Sequence, residues 1–490
     1  MSCTLINPNL VIQKNDKFTT GIVYMPIGLA YASASLKKNG IEHDVIDLFG
    51  KLPNKYIKKN GFLILGEQIN NYSFEENKNL CFFLYANQVI NHISIIKIAK
   101  ILKSKYPNTP LIVIENTQAV TAYSLKKVSK EFFDIGCDYL LTGENELAIP
   151  KIYNAIKSNN SLSEIDGLIG TNFSNNKSII DDIDNLKFPN WEKFPIKNYW
   201  SLGHAHGPLT AKRYLPILTS RGCPYPCKFC IVPELNNRKW RYRTAKNIVD
   251  EIELFKNTYS VTEFHIEDLN PTVNDKRTRE ICNEIISRKL KIHWKICAGT
   301  KIESIKNEET IDLMQKSGCR YISISPESGS KNVMKSINKP FNLKHANRII
   351  KRMNDKNIFS QACFVLGYID ETKKDLIETK RLIFDLTKNG VDEIAIFIIT
   401  PIPGSEIFDS FDGYKSLSEL TFSPLWRQDF KKLNFVRFYF YTYFLFWKMI
   451  FHPIKIMSQV LRFFSKKFNT KMEMVPFKFL KNTFFISEQK

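Results

Sequence analysis

The stretch Gly222-Cys223-Pro224-Tyr225-Pro226-Cys227-Lys228-Phe229-Cys230 sets three thiols at C-x3-C-x2-C spacing. Thiolates so close together on one loop can converge on a single metal centre. Two prolines stiffen the loop, and Gly222 lets the backbone turn just before it. An iron–sulfur cube usually takes four cysteine ligands. Here three lie together and the other seven cysteines are scattered, which reads as a cube with one iron left open to bind something else. Two rival readings stand beside it. Structural zinc wants a fourth Cys or His, and His204 and His206 upstream could serve. A disulfide framework suits short secreted scaffolds better than ten dispersed cysteines in a long chain.

The 490 residues suffice for two or three domains, and the hydrophobic share of 43% is that of a globular protein. The opening Met1-Ser2-Cys3-Thr4-Leu5-Ile6 reads as a strand, not as a secretory signal. Free cysteines and an oxygen-sensitive cluster point to a reducing cytoplasm. The net charge of +21 suits an anionic partner: nucleic acid, a membrane surface or an acidic substrate. The excess is uneven, because from Lys431 onward basic residues outnumber acidic ones by about ten.

Working outward from the cysteines, the pattern is α/β throughout. Strand-like runs at residues 215–219, 263–266, 293–296, 321–324, 360–365 and 393–398 alternate with helical patterns at 246–256, 276–288, 310–316 and 344–354. Six such units predict a partial (β/α)6 barrel over 214–410, with its site at the carboxyl ends of the strands. Cys223 follows the first of these strands directly. Residues 1–150 alternate strands (3–6, 45–48, 81–85, 111–114, 139–141) with helices (27–39, 94–105), which predicts a doubly wound parallel sheet. Residues 151–213 read as a turn-rich linker and 411–490 as an aromatic, basic, helical extension.

These residues carry a resemblance. Cys223-x3-Cys227-x2-Cys230 with Phe229 before the last Cys resembles the signature of the radical S-adenosylmethionine (SAM) enzymes. The resemblance implies a [4Fe–4S] cluster on the three thiolates, SAM on the open iron, and cleavage of SAM to a 5′-deoxyadenosyl radical after reduction by an external flavodoxin- or ferredoxin-like donor. Downstream, Glu267-Asp268 ends the second barrel strand, and Ser325-Pro326-Glu327-Ser328-Gly329 follows the fourth and resembles a G-x-E-S-G element. Phe364 to Thr372, with Gly367, resembles a G-x-P-G-E-T turn but departs at Tyr368-Ile369-Asp370. The resemblance makes Phe229, Glu267, Asp268, Ser325, Glu327 and Gly367 cofactor-binding candidates and Cys223, Cys227 and Cys230 metal ligands. It names no catalytic residue. Thr400-Pro401-Ile402-Pro403-Gly404-Ser405 reads as a rigid loop at the barrel mouth.

The N-terminal part resembles the cobalamin-binding domain that precedes many radical SAM domains, through Pro26-Ile27-Gly28-Leu29-Ala30-Tyr31, Lys38-Asn39-Gly40, Val45-Ile46-Asp47 and Thr142-Gly143-Glu144-Asn145-Glu146. It departs at Glu115-Asn116-Thr117, where Gly-Gly is frequent, and it lacks a D-x-H-x-x-G motif. His43 is expected in an exposed loop. Thr244 is expected to cap a helix, with Arg241 and Arg243 binding a carboxylate or pairing with that helix. Cys282, Cys297, Cys319 and Cys363 are expected in the core, Cys297 and Cys363 near enough to strand ends to face a cavity.

The run Phe435–Phe451, FVRFYFYTYFLFWKMIF, is too short between Arg437 and Lys448 to span a bilayer. It predicts either a helix in the membrane interface, its lysines reaching headgroups, or a buried extension closing the barrel. Peripheral contact through 435–467 would put the protein on the inner face of the membrane; no nucleic-acid module is evident. The expectation from the whole resemblance is cobalamin-dependent C-methylation of an unactivated carbon of a small-molecule or lipid substrate. The alternatives are radical cyclisation or rearrangement without cobalamin, and an iron–sulfur electron carrier that leaves SAM intact.

Overall fold

The computed structural model describes residues 1–488 except 15, 17, 18, 76 and 77, with the backbone alone over 482–488. Its first sheet has the order His43–Asp47, Ser2–Asn7, Asn79–Ala86, Leu111–Glu115, Tyr139–Leu141, Leu168–Ile169. The first five strands are parallel and the last is antiparallel. Strands such as Leu111–Glu115 are buried along their whole length, as both-face coverage of a parallel sheet requires. The order is that of a doubly wound fold, whose winding reverses between Ser2–Asn7 and Asn79–Ala86. The carboxyl ends of those two strands therefore open a crevice.

Three findings differ from the sequence reading. Residues expected as a linker are packed: the helix Ala148–Lys157 and the edge strand extend the first unit past residue 150. Trp191, Phe194 and Tyr199 are buried, and the Tyr199 hydroxyl donates to Asp47 Oδ2 at 2.7 Å. Turn-rich composition misses this because single aromatic anchors have no period. His43 is not exposed. It is 3% accessible, Nε2 lies 2.8 Å from Ser33 Oγ on the first helix, and burial lowers its pKa. It starts its strand, at the opposite end from the crevice. Finally, Leu10–Gln13, Phe62–Leu65 and Tyr56–Lys59 form a small antiparallel sheet that the sequence reading does not include.

The second sheet holds six parallel strands in sequence order: Tyr214–Ile217, Glu263–Ile266, His293–Thr300, Cys319–Glu327, Phe359–Leu366 and Glu393–Ile398. The intervening helices start where the sequence supplies a side-chain cap: Thr244, Asn274, Asn307, Asn342 and Thr372 each accept a backbone N–H of the first turn. The first and last strands do not pair. The C-terminal chain crosses that opening: Phe468 N donates to Leu209 O, Met472 N to Glu393 Oε2 and Lys471 Nζ to Cys297 O.

The extension is three helices, Phe430–Phe451, Pro453–Ser465 and Lys471–Glu488. The first packs on the helix Lys373–Lys388 and the last strand. Of the two readings offered for this run, the buried extension describes its central charges. Arg437 and Lys448 are buried, Arg437 donating to Ser423 Oγ and Lys448 to Gln459 Oε1 and the Asp392 carbonyl. Burial pulls the Lys448 pKa down to about 8.

Glu115 stands where the resemblance to the cobalamin-binding domain breaks down. At the end of its strand it is 1% exposed and accepts N–H bonds from Leu125 and Gly143, each at 2.9 Å. Burial outweighs these bonds and raises its pKa from 4.5 to about 7. A raised carboxyl pKa favours folding in acid, and that contribution is lost as pH climbs from about 4.5 to about 7. Denaturant unfolding of the apoprotein should show a fall of up to about 3 kcal/mol across this window. Glu115→Gln should flatten that step; an unchanged profile would refute the assignment.

Candidate functional site

The cysteine loop leaves the first barrel strand through the two-residue strand Ser220–Arg221, which pairs antiparallel with Arg241–Tyr242. Gly222 follows at φ +77, and a Cβ there would lie 2.0 Å from the Lys239 carbonyl oxygen, so only glycine makes this turn. The loop then brings Cys223, Cys227, Phe229 and Cys230 to one cavity of about 250 Å³ at the carboxyl ends of the barrel strands. Burial pushes Cys230 up to about 12 and raises Cys223 and Cys227 above the ordinary thiol value. Thiolates here need a metal's positive charge. Among the described residues, the ligand atoms that lie within 4.8 Å of one another are those of His265, Glu267 and Cys297. The two histidines that could complete a zinc site with the loop thiols are engaged elsewhere. His204 turns to the Leu202 carbonyl and His206 to Glu267.

Other strand ends complete the cavity. Ser325 and Glu327 line it from the fourth strand. Glu327 is 5% exposed at φ +63, a left-handed conformation unusual for a glutamate, and pairs with Lys339. Burial disfavours the Lys339 charge, but Glu327 together with Cys227 and Cys230 offsets it and holds the ammonium above its ordinary pKa. Lys339 also lies 5.8 Å over the Phe229 ring. No sequence motif marked Lys339. The Ser-Gly after Glu327 is needed for packing: a Cβ on Gly329 would sit 2.3 Å from the Glu378 carbonyl oxygen. Cys297 and Cys363 face the cavity, while Cys282 and Cys319 lie in the core.

The acidic pair after the second strand divides its duties. Asp268 is fully buried and accepts from Thr219 N at 2.7 Å, Thr219 Oγ1 at 2.6 Å and the Ser220 hydroxyl. It braces the backbone under the cysteine loop and is not among the cavity-lining residues. Glu267 pairs with His206 Nδ1 at 2.5 Å, and Tyr24 packs on that imidazole, ring centres 4.5 Å apart. Gly367 is also away from the cavity. It sits at φ +83 against the C-terminal helix, where a Cβ would meet Leu433 Cδ1 at 2.5 Å.

Next to the cavity lies the crevice at the switch point of the first sheet, about 90 Å³. Five side-chain amides line it, from Asn7, Asn87, Gln88, Asn116 and Gln118. The Oε1 of Gln118 is buried without a partner. Cavity and crevice share a wall that includes Tyr24, Gln88, Val120, His206, Leu269 and Ala298. An amide-rich rim with an unsatisfied acceptor suits a ligand that carries amides of its own, as the side chains of a corrin do.

A buried ion cluster holds these halves together. Arg221 Nη2 pairs with Glu146 Oε1 at 2.6 Å, and Arg241 Nη1 with Glu144 Oε2 at 2.7 Å and the Ile180 carbonyl. Arg221 also lies 5.0 Å over the Tyr31 ring. Burial opposes its charge, but Glu146 and Glu144 prevail and hold its pKa above the usual value. Arg243 instead pairs with Glu251 of the helix that Thr244 caps. The acidic Thr142–Glu146 element thus grips the residue two positions before Cys223.

Residues 217–383 match the model of the radical SAM superfamily. An uncharacterized methyltransferase of Pyrococcus horikoshii is 23% identical over 361 residues, covering 68% of this chain and 74% of its own. The cytidylyl-2-hydroxyethylphosphonate methyltransferase of Streptomyces wedmorensis is 25% identical over 448 residues, 82% of this chain and 80% of its own. Among solved structures, the radical S-adenosylmethionine methyltransferase TsrM of Kitasatospora setae, with cobalamin and a [4Fe-4S] cluster bound, superposes at TM-score 0.61. It covers 83% of this chain and 74% of its own, at 12% identity, and so attests the shared fold.

Removing one partner from a buried ion pair leaves an uncompensated charge and costs about 3–5 kcal/mol. Arg221→Ala should therefore destabilise the chain by about that amount. In a double-mutant cycle with Glu146→Ala the two losses should fall well short of additive. Additive losses would show that the pair does not couple the two sheets.

Proposed function

We propose that this chain, a radical SAM protein of the kind that carries a cobalamin-binding domain ahead of its barrel, is a methyltransferase acting on an unactivated carbon. The observation that carries the reading is the shared wall between the three-cysteine cavity and the amide-lined crevice. Methylation requires one substrate position reachable from both cofactors. When bound, the cluster supplies the electron that cleaves SAM to a 5′-deoxyadenosyl radical, and cobalamin supplies the methyl group.

In this reading Cys223, Cys227 and Cys230 hold a [4Fe–4S] cluster, and Phe229 shields it from the cavity side. Glu327, fixed by Lys339, and Ser325 receive SAM. Glu267 serves with His206 at the wall facing the crevice. Asp268 and Gly367 act by holding the loops in place, not by touching a cofactor. Asn7, Asn87, Asn116 and Gln118 receive the cobalamin. The chain divides into a cobalamin-binding unit, a packed connector, the barrel and the C-terminal extension. The substrate is a small molecule, and the electron comes from a flavodoxin- or ferredoxin-like donor. Among the described residues no helix is long and apolar enough to cross a membrane.

Anaerobic purification with added cobalamin, followed by iron, sulfide and cobalt analysis, tests the reading. The expected result is four irons per chain and one cobalt, with methyl transfer from labelled SAM when a reductant is present. A cluster without cobalt would sink methyl transfer and leave radical chemistry of another kind. Cys227→Ala should lose the cluster and all 5′-deoxyadenosine formation. Glu327→Gln should keep the cluster while raising the KM for SAM roughly tenfold, the worth of one charge-assisted hydrogen bond. An unchanged KM would remove Glu327 from the SAM site.

A further inference from the structure

The helices Phe430–Phe451 and Pro453–Ser465 are amphipathic in the inverted sense. Their inward faces hold Arg437 and Lys448, both buried in hydrogen bonds. Their outward faces hold the large apolar side chains: Phe435 is 72% exposed, Phe438 66%, Ile454 77%, Leu461 69% and Phe464 74%. Water alone does not favour such a face, and monomers rarely expose contiguous apolar patches of this extent.

The surrounding charge identifies what covers it. From Phe430 to Met472 the chain has no Asp or Glu. Exposed lysine pairs stand at both ends of the patch, Lys431 with Lys432 and Lys466 with Lys467. A second copy of the chain would bring a rim of the same sign against this one and find no carboxylate to pair with. A bilayer surface bearing anionic lipids offers both an apolar layer and a negative rim. We propose that this face docks the protein on anionic membrane, with the two helices lying in the headgroup layer and the four lysines on lipid phosphates. The Phe430 end adjoins the cavity: Arg437 binds Ser423, next to the cavity-lining Leu420, Thr421 and Phe422. Docking therefore sets the cavity beside the bilayer. The proposal rests on the surface alone and stands or falls apart from the catalytic reading.

Cosedimentation of the full-length protein with vesicles tests it, using phosphatidylcholine alone and phosphatidylcholine mixed with phosphatidylglycerol. The wild type should bind the anionic vesicles at least about tenfold more tightly than the neutral ones. Phe438→Glu with Leu461→Glu should weaken binding to both about tenfold or more, by putting charge into the apolar layer. Replacing the four lysines by Gln should remove that anionic preference. Both variants change only exposed side chains, and circular dichroism with cluster content checks that they fold. The proposal is overturned if the wild type stays in the supernatant with anionic vesicles, or if the outward substitutions leave binding unchanged. It is also overturned if light scattering shows a dimer that these substitutions dissociate while vesicle binding is absent.

Discussion

Two buried arginines and two buried glutamates join the parallel sheet to the barrel. Arg221 belongs to the backbone that leads into the cysteine loop, and Glu144 and Glu146 to the element that closes the first sheet. Four ionised groups out of water are costly unless each is paired and its remaining hydrogen-bonding capacity met. The cluster forms its ion pairs only when the two sheets hold one relative placement. The same placement brings the switch-point crevice against the barrel cavity, so the geometry that satisfies the charges also gives the two cavities their common wall. Glu115 strengthens the arrangement from behind by holding the Gly143 amide, one residue before Glu144.

Within the barrel, rigid anchoring is concentrated where the cysteine loop begins. Asp268 uses its carboxylate on Thr219 and Ser220, and Arg277 donates to the Thr219 and Arg243 carbonyls. The loop itself is left with few side-chain bonds and its thiols free to take a metal. This division is physically sensible. A ligand set must be positioned within fractions of an ångström, yet its own donors cannot be spent on positioning.

The C-terminal helices show that composition and placement answer different questions. Aromatics and lysines at helical spacing suggest charges reaching outward over an apolar base. Folding puts Arg437 and Lys448 inward instead, because the extension itself offers them the Ser423 hydroxyl and the Gln459 amide, and the barrel the Asp392 carbonyl. Once these acceptors take the cations, the aromatic face is left outside. The third helix takes up the structural duty expected of the whole extension, crossing the gap between the first and last barrel strands.

The sequence by itself determined the two α/β units, all six barrel strands, the Thr244 cap and the triad of cysteines, because each is written in local period, spacing or capping chemistry. Gly222 was legible for the same reason, being adjacent to the motif it serves. Only the tertiary structure decided that Asp268 braces the loop while its neighbour Glu267 meets His206, that Glu327 is held by Lys339, and that Arg221 and Arg241 reach back to Glu146 and Glu144. Those pairings join residues that share no period and stand up to about a hundred positions apart. Their energy depends on burial, which no local pattern encodes.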